Sequence, residues 1–224
     1  MKRRDLFVKV CGITRLQDAD QAADHGASAI GFIFWPGSPR FISPEDARAI
    51  VRRKAAGLKT VGVFVNEAVE RVQQIAELVG LDMVQLHGSE SPAQLAQLKL
   101  RPTGDAPPVA GRDFSRAMGL IKAVALTNGA APDLSAFDDD VLILLDAHDP
   151  ARHGGTGRTI DWEAARGVAA SRRTILAGGL TPENVGEAVS AVQPYGIDVS
   201  SGVESAPGVK DAIRLKRFFE ALND

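Results

Sequence analysis

TVGVFVNEAVERVQQIAELVGLDMVQL, residues 60–86, contains one complete unit of the fold. Its opening run, TVGVFV (60–65), is apolar almost throughout instead of alternating, the pattern of a parallel strand covered on both faces. EAVERVQQIAELVG (67–80) then repeats apolar residues at helical spacing, with Asn66 in place to cap its start and Gly80 to stop it. DMVQL (82–86) is a second short strand run.

Outward from this unit the pattern repeats. LFVKV (6–10), AIGFIF (29–34), LIKAVAL (120–126), VLILLD (141–146), TILAG (174–178) and GIDVS (196–200) bring the strand runs to eight. PEDARAIVRR (44–53) reads as a helix capped by Ser43, with Pro44 at its first position. PENVGEAVSAV (182–192) follows Thr181, with Asn184 where a capping box would put Glu or Gln. A last amphipathic helix, from about Lys210 to Leu222, packs Phe218 and Phe219 into the shell. Eight strand–helix units in this length predict a single (β/α)8 TIM barrel, an α/β domain spanning residues 1–224. An open doubly wound sheet is the alternative. Two connections are irregular: 99–118, rich in Pro and Gly, and 127–140, with room for only a turn or two of helix.

Composition narrows the function. The chain is 45% hydrophobic and 24% charged with a net charge of −2, so no basic field exists to hold nucleic acid or an anionic membrane surface. One cysteine cannot form an internal disulfide, which fits a reducing compartment. The N-terminus, MKRRDLFVKV, has no apolar stretch of signal-peptide length, and no window is long and apolar enough to span a membrane. A cytoplasmic protein is expected.

Chemistry in such barrels lies after the C-terminal ends of the strands. The first run ends at Cys11, either inert core or, with a modestly depressed thiol pKa, a working base. WPGSPRFIS follows the second and carries Arg40, a surface charge or a bidentate clamp for a carboxylate. Asn66 follows the third, Gln85 and His87 the fourth, and nothing ionisable the fifth. Asp146 ends the sixth run behind VLILL: a solvated carboxylate or cap, or an acid whose pKa burial raises until it can donate a proton. Three glycine loops come last: HGGTGRT (153–159) with Gly155, AGGLTPEN with Gly178 and Gly179, and VSSGVE with Ser201 and Gly202. A glycine pair alone is usually a tight turn, but three such loops after consecutive strands suggest a phosphate site. Neither nucleotide motif is met: the GxxxxGK[ST] lysine is missing, and Ile160 stands where GxGxxG needs its last glycine. His87, His148 and His153 show no ligand spacing, so no metal is expected.

KVCGIT, GFIFWPGSPRFISPEDA, VGVFVNE, VQLHG, ILLDA, GGTGRTIDW, AGGLTPENV and DVSSGVE, in order from about residue 7 to 221, resemble the phosphoribosylanthranilate isomerases of tryptophan biosynthesis. The resemblance implies an Amadori rearrangement of N-(5-phosphoribosyl)anthranilate to 1-(2-carboxyphenylamino)-1-deoxyribulose 5-phosphate. It implies no cofactor, a small phosphorylated substrate, and a monomer or homodimer. It makes Cys11 the general base, Asp146 the general acid and Arg40 the contact for the anthranilate carboxylate. Phosphate contacts fall around Gly155, Gly178-Gly179 and Ser201-Gly202. An indole-glycerol-phosphate synthase would need a lysine where the third run ends in Phe64-Val65-Asn66. The histidine-pathway isomerase would need an aspartate where Cys11 stands. A non-catalytic sugar-phosphate binder would need neither Cys11 nor Asp146.

Overall fold

The computed structural model describes residues 6–99, 118–126, 133–147 and 161–223. All eight runs become strands: β1 (Phe7–Cys11), β2 (Ala29–Ile33), β3 (Lys59–Phe64), β4 (Met83–Leu86), β5 (Gly119–Leu126), β6 (Leu142–Ala147), β7 (Thr174–Leu176) and β8 (Gly196–Val199). Each pairs in parallel with the next, and β8 pairs with β1, which closes the sheet into a barrel. An open sheet is excluded. Cys11 of β1 faces Gly31 of β2, and Lys9 of β1 faces Asp198 of β8.

Side chains of a strand alternate between the barrel interior and the helical shell. Val8, Val10, Ile30, Ile143, Leu145 and Ile197 point outward, into the main core beneath the helices. Phe7, Ala29, Val61, Met83, Ile121, Leu142, Leu144 and Ile175 fill the interior as a separate apolar cluster. Further toward the C-terminal ends, the inward positions turn polar: Lys9 and Cys11 on β1, Gln85 on β4, Asp146 on β6 and Asp198 on β8. The barrel is dry at its base and chemical at its mouth.

Helices cover the outside: α1 (Leu16–Asp24), α2 (Pro44–Val51), α3 (Val69–Val79), α4 (Pro92–Lys99), α5 (Trp162–Ala169), α6 (Val185–Val192) and α7 (Ala212–Glu220). Ser43 caps α2 as expected, its Oγ accepting from the Asp46 N–H at 3.1 Å. Asn66 does not cap α3. Its backbone is left-handed (φ 51°), its N–H donates to Glu90, and its side chain accepts from the Ser89 N–H at 2.7 Å. The helix therefore starts later, at Val69, and ends as expected at Gly80 in the left-handed conformation. The α6 stretch also starts late, because Thr181 and Asn184 form a turn ahead of it. The Asn184 side chain accepts from the Thr181 N–H at 2.8 Å, the role a capping-box Glu or Gln would play. Phe218 and Phe219 of α7 are buried in the shell. The irregular segment at 99–118 lies largely outside the described residues. Among the described residues no helix is long and apolar enough to cross a membrane.

Leu144 is fully buried inside the barrel, where no rearrangement can close the space left by truncation. Leu144→Ala is expected to cost about 2–5 kcal/mol of stability, read from the midpoint of urea unfolding. A loss under about 1 kcal/mol would show that the interior layer is loosely packed.

Candidate active site

The polar ends of the strands surround a cavity of about 520 Å³ at the barrel mouth. Cys11, Arg40, Asp146, Gly178, Gly179, Ser201 and Gly202, each expected at a site from sequence, all line it. Gly155 and the rest of the 153–159 loop, with His148 and His153, lie outside the described residues. Among the described residues no group of His, Cys, Asp and Glu is placed to hold a metal ion.

Asp146, at the end of β6, is buried with one oxygen 3.2 Å from His87 Nε2. His87 is in turn fixed by Gln85, whose Nε2 lies 2.9 Å from the ring Nδ1. With that amide donating to Nδ1, the neutral imidazole carries its proton on Nε2 and presents it to Asp146. His87 is thus held between Gln85 and Asp146.

Cys11 is buried at the end of β1. Burial pushes its thiol up, and the nearby Asp198 carboxylate pushes the same way. The ammonium groups of Lys9 and Lys210 oppose both, without reversing the outcome. The sequence left the direction of the thiol's shift open; burial sets it upward.

Arg40 departs further from expectation. Its Nε lies 2.9 and 3.0 Å from the two Glu204 oxygens, and its Nη2 lies 2.8 Å from Oε2. The fork already holds a carboxylate of the protein itself. Glu204 also accepts from Lys210 Nζ at 2.8 Å. Burial would raise its pKa, but Arg40 and Lys210 outweigh that and hold the carboxyl below its ordinary value.

At the β7 end, Gly178 and Gly179 both take positive φ, 81° and 65°, a turn that side chains resist. Asn184 Nδ2 donates to the Gly179 carbonyl at 2.9 Å and fixes that turn. Ser201 and Gly202 form a 3₁₀ turn after β8. Three buried polar atoms around the cavity, Gln85 Oε1, Asp198 Oδ1 and Ser200 Oγ, have no hydrogen-bond partner among the described residues. Buried polar groups are nearly always paired, so a cluster of orphans around one cavity marks a site completed by a ligand.

Lys9 and Asp198 escaped the sequence reading, which looked only beyond the strand ends. The available signal was their spacing: Lys9 stands two residues before Cys11 and Asp198 two before Ser200, so each shares its partner's inward face.

A model of the N-(5′-phosphoribosyl)anthranilate (PRA) isomerase family matches residues 8–221. The N-(5′-phosphoribosyl)anthranilate isomerase of Pelobacter propionicus is 44% identical over 217 residues, 97% of this chain and 95% of that protein. The crystal structure of phosphoribosyl anthranilate isomerase from Thermus thermophilus superposes with a TM-score of 0.81 at 39% identity, covering 97% of this chain and 98% of the other. A phosphoribosyl anthranilate isomerase solved with reduced 1-(o-carboxyphenylamino)-1-deoxyribulose 5-phosphate has a TM-score of 0.76 at 36% identity, covering 96% of this chain and 97% of that one. The match begins in the first barrel strand and ends just past the last helix, so the chain belongs to the N-(5′-phosphoribosyl)anthranilate isomerase family.

Proposed function

We propose that the cavity at the barrel mouth is where this chain performs the isomerisation of its family, with Cys11 as general base and Asp146 as general acid. Family membership makes the chain an isomerase of tryptophan biosynthesis. The observation that carries the residue assignment is the convergence of one thiol and one histidine-backed carboxyl on a cavity rimmed by glycine loops.

The reaction is a series of proton transfers within the substrate. Asp146 protonates the ribose ring oxygen, the C1′–O bond breaks, and the aniline nitrogen supplies the electron pair that forms a Schiff base. The Cys11 thiolate then takes the C2′ proton, giving an enolamine; C1′ gains a proton and the C2′ hydroxyl loses one, leaving the C2′ ketone. C1′ is reduced as C2′ is oxidised, so the redox change stays within the substrate and no cofactor enters. His87 holds the Asp146 carboxyl toward the cavity.

Binding follows the same logic. The loops of Gly178-Gly179 and Ser201-Gly202 offer backbone N–H groups to the phosphate. The orphan acceptor Gln85 Oε1 suits a sugar hydroxyl. Arg40 uses its Nε and one Nη2 proton on Glu204, which leaves both Nη1 protons and the second Nη2 proton for the anthranilate carboxylate. The relative solved with a reduced deoxyribulose phosphate supports a ligand of this size and charge.

Cys11→Ala and Asp146→Asn are each expected to lower kcat by about 10²–10⁴-fold with KM within a few-fold, measured by loss of anthranilate fluorescence from substrate generated in situ. Near-wild-type turnover in either variant would remove that residue from its role. Inorganic phosphate should inhibit competitively; noncompetitive inhibition would move the phosphate site away from the glycine loops.

A further inference from the structure

Directly below Cys11, inside the barrel, Lys9 is completely buried. Its Nζ donates to Asp198 Oδ2 at 2.9 Å, from the strand position opposite it on β8. A buried ion pair rarely stabilises a fold more than apolar residues of the same size would. The layer beneath shows that apolar filling suffices here, with Phe7, Met83, Ile121 and Leu144 packed together. Stability does not account for an ammonium in this place.

Gly31 supplies the second observation. It stands opposite Cys11 on β2, and a Cβ there would lie 2.8 Å from Cys11 Sγ, 3.0 Å from Lys9 Cε and 3.2 Å from Lys9 Nζ. The sulfur and the ammonium crowd the same point, and only a glycine leaves them room. An ammonium has three protons to donate, so bonding Asp198 does not exhaust it. Its charge acts on the Cys11 sulfur and opposes the effect of burial there.

The other charged groups near the sulfur do not replace it. Lys210, from the two-residue strand ahead of α7, donates to Glu204, the Cys11 carbonyl and the Ser200 carbonyl, which uses its three protons, and Arg40 is bound to the same Glu204 carboxylate. Asp146 on β6 and His87 beyond β4 act on Asp198. Lys9 is the strongest cationic influence on the thiol. Burial would strip its proton, but Asp198 and then Cys11 outweigh that and keep it charged.

We propose that Lys9 is a positioning residue for the isomerisation: its ammonium, pinned from the other side by Asp198, fixes the Cys11 sulfur and supplies the countercharge to the thiolate that takes the C2′ proton. This rests on the reading of Cys11 as the base. Asp198 then serves through Lys9, because its own charge beside the sulfur works against a thiolate.

The test uses the full chain with Lys9→Met and with the double variant Lys9→Met/Asp198→Asn. The single variant leaves a buried carboxylate unpaired, so the double variant, which removes both charges together, carries the test if the single one fails to fold; thermal melting checks both. Because the chain has one cysteine, ultraviolet absorbance of the thiolate, corrected with Cys11→Ser, follows this sulfur alone. In Lys9→Met the thiol should titrate about 1 unit higher or more; in the double variant it should still rise, but by less, because the Asp198 charge that opposes the thiolate is removed with the ammonium. The acid-side limb of kcat/KM should move up with it, since the base then holds its proton to higher pH. Turnover should fall about 10²-fold with KM within a few-fold. A fall in kcat with an unmoved thiol titration would make Lys9 packing only. A raised KM with intact kcat would make the pair a substrate contact instead. Absence of turnover in the wild type would fail the functional reading separately, while the thiol titration would still decide whether Lys9 governs the sulfur.

Discussion

A closed parallel barrel gives eight strands one narrow interior, and every inward side chain must be accommodated there. At the base the solution is apolar: Phe7, Leu144 and Ile175 interdigitate with no polar group among them. Toward the mouth the same inward positions carry Lys9, Gln85, Asp146 and Asp198. Each of these is tolerable only because another polar group stands beside it. The site's geometry is therefore a consequence of charge burial. Lys9 is where it is because Asp198 faces it across one strand pairing.

The same constraint fixes the loops. Glu204 gathers Arg40 from the β2 loop and Lys210 from the chain leading to α7, so two distant segments are tied at one carboxylate. Glu90 does the same on the far side. It takes Lys122 of β5 at 2.7 Å and the N–H groups of Asn66 and Gly88. Burial raises its pKa, yet Lys122 and the backbone donors overcome that and hold it below its ordinary value. Gly88 follows His87 directly, so this ion pair also orients the histidine that faces Asp146. Removing one partner of such a pair strands a buried charge, at about 3–5 kcal/mol.

What the sequence made legible follows the same division. Apolar runs marked all eight strands, because a strand covered on both faces must be apolar regardless of its neighbours. Residues just past the strand ends, Cys11 and Asp146 among them, could be placed by chain order alone. Partners brought together by closure could not. Nothing in SPRFISP states that Arg40 will meet Glu204, which lies 164 residues away. Asn66 looked like a helix cap until Ser89 and Glu90, from the next loop, claimed it. LFVKV marked a strand without marking Lys9, though its two-residue spacing from Cys11 put both on the inward face.

The raised thiol at Cys11 is the point where burial and chemistry meet. Each unit by which burial lifts a pKa costs about 1.4 kcal/mol for the charged form, so a dry thiol is less often a thiolate. The same dryness makes the thiolate that does form a stronger base toward a carbon acid, and makes a nearby countercharge count for more than it would in water. An exposed cysteine would ionise more readily and pull less. A buried one with no cation would hardly ionise at all. A thiol placed above a lysine that a carboxylate keeps protonated lies between these limits, and the barrel provides it by pairing β1 with β2 on one side and β8 on the other.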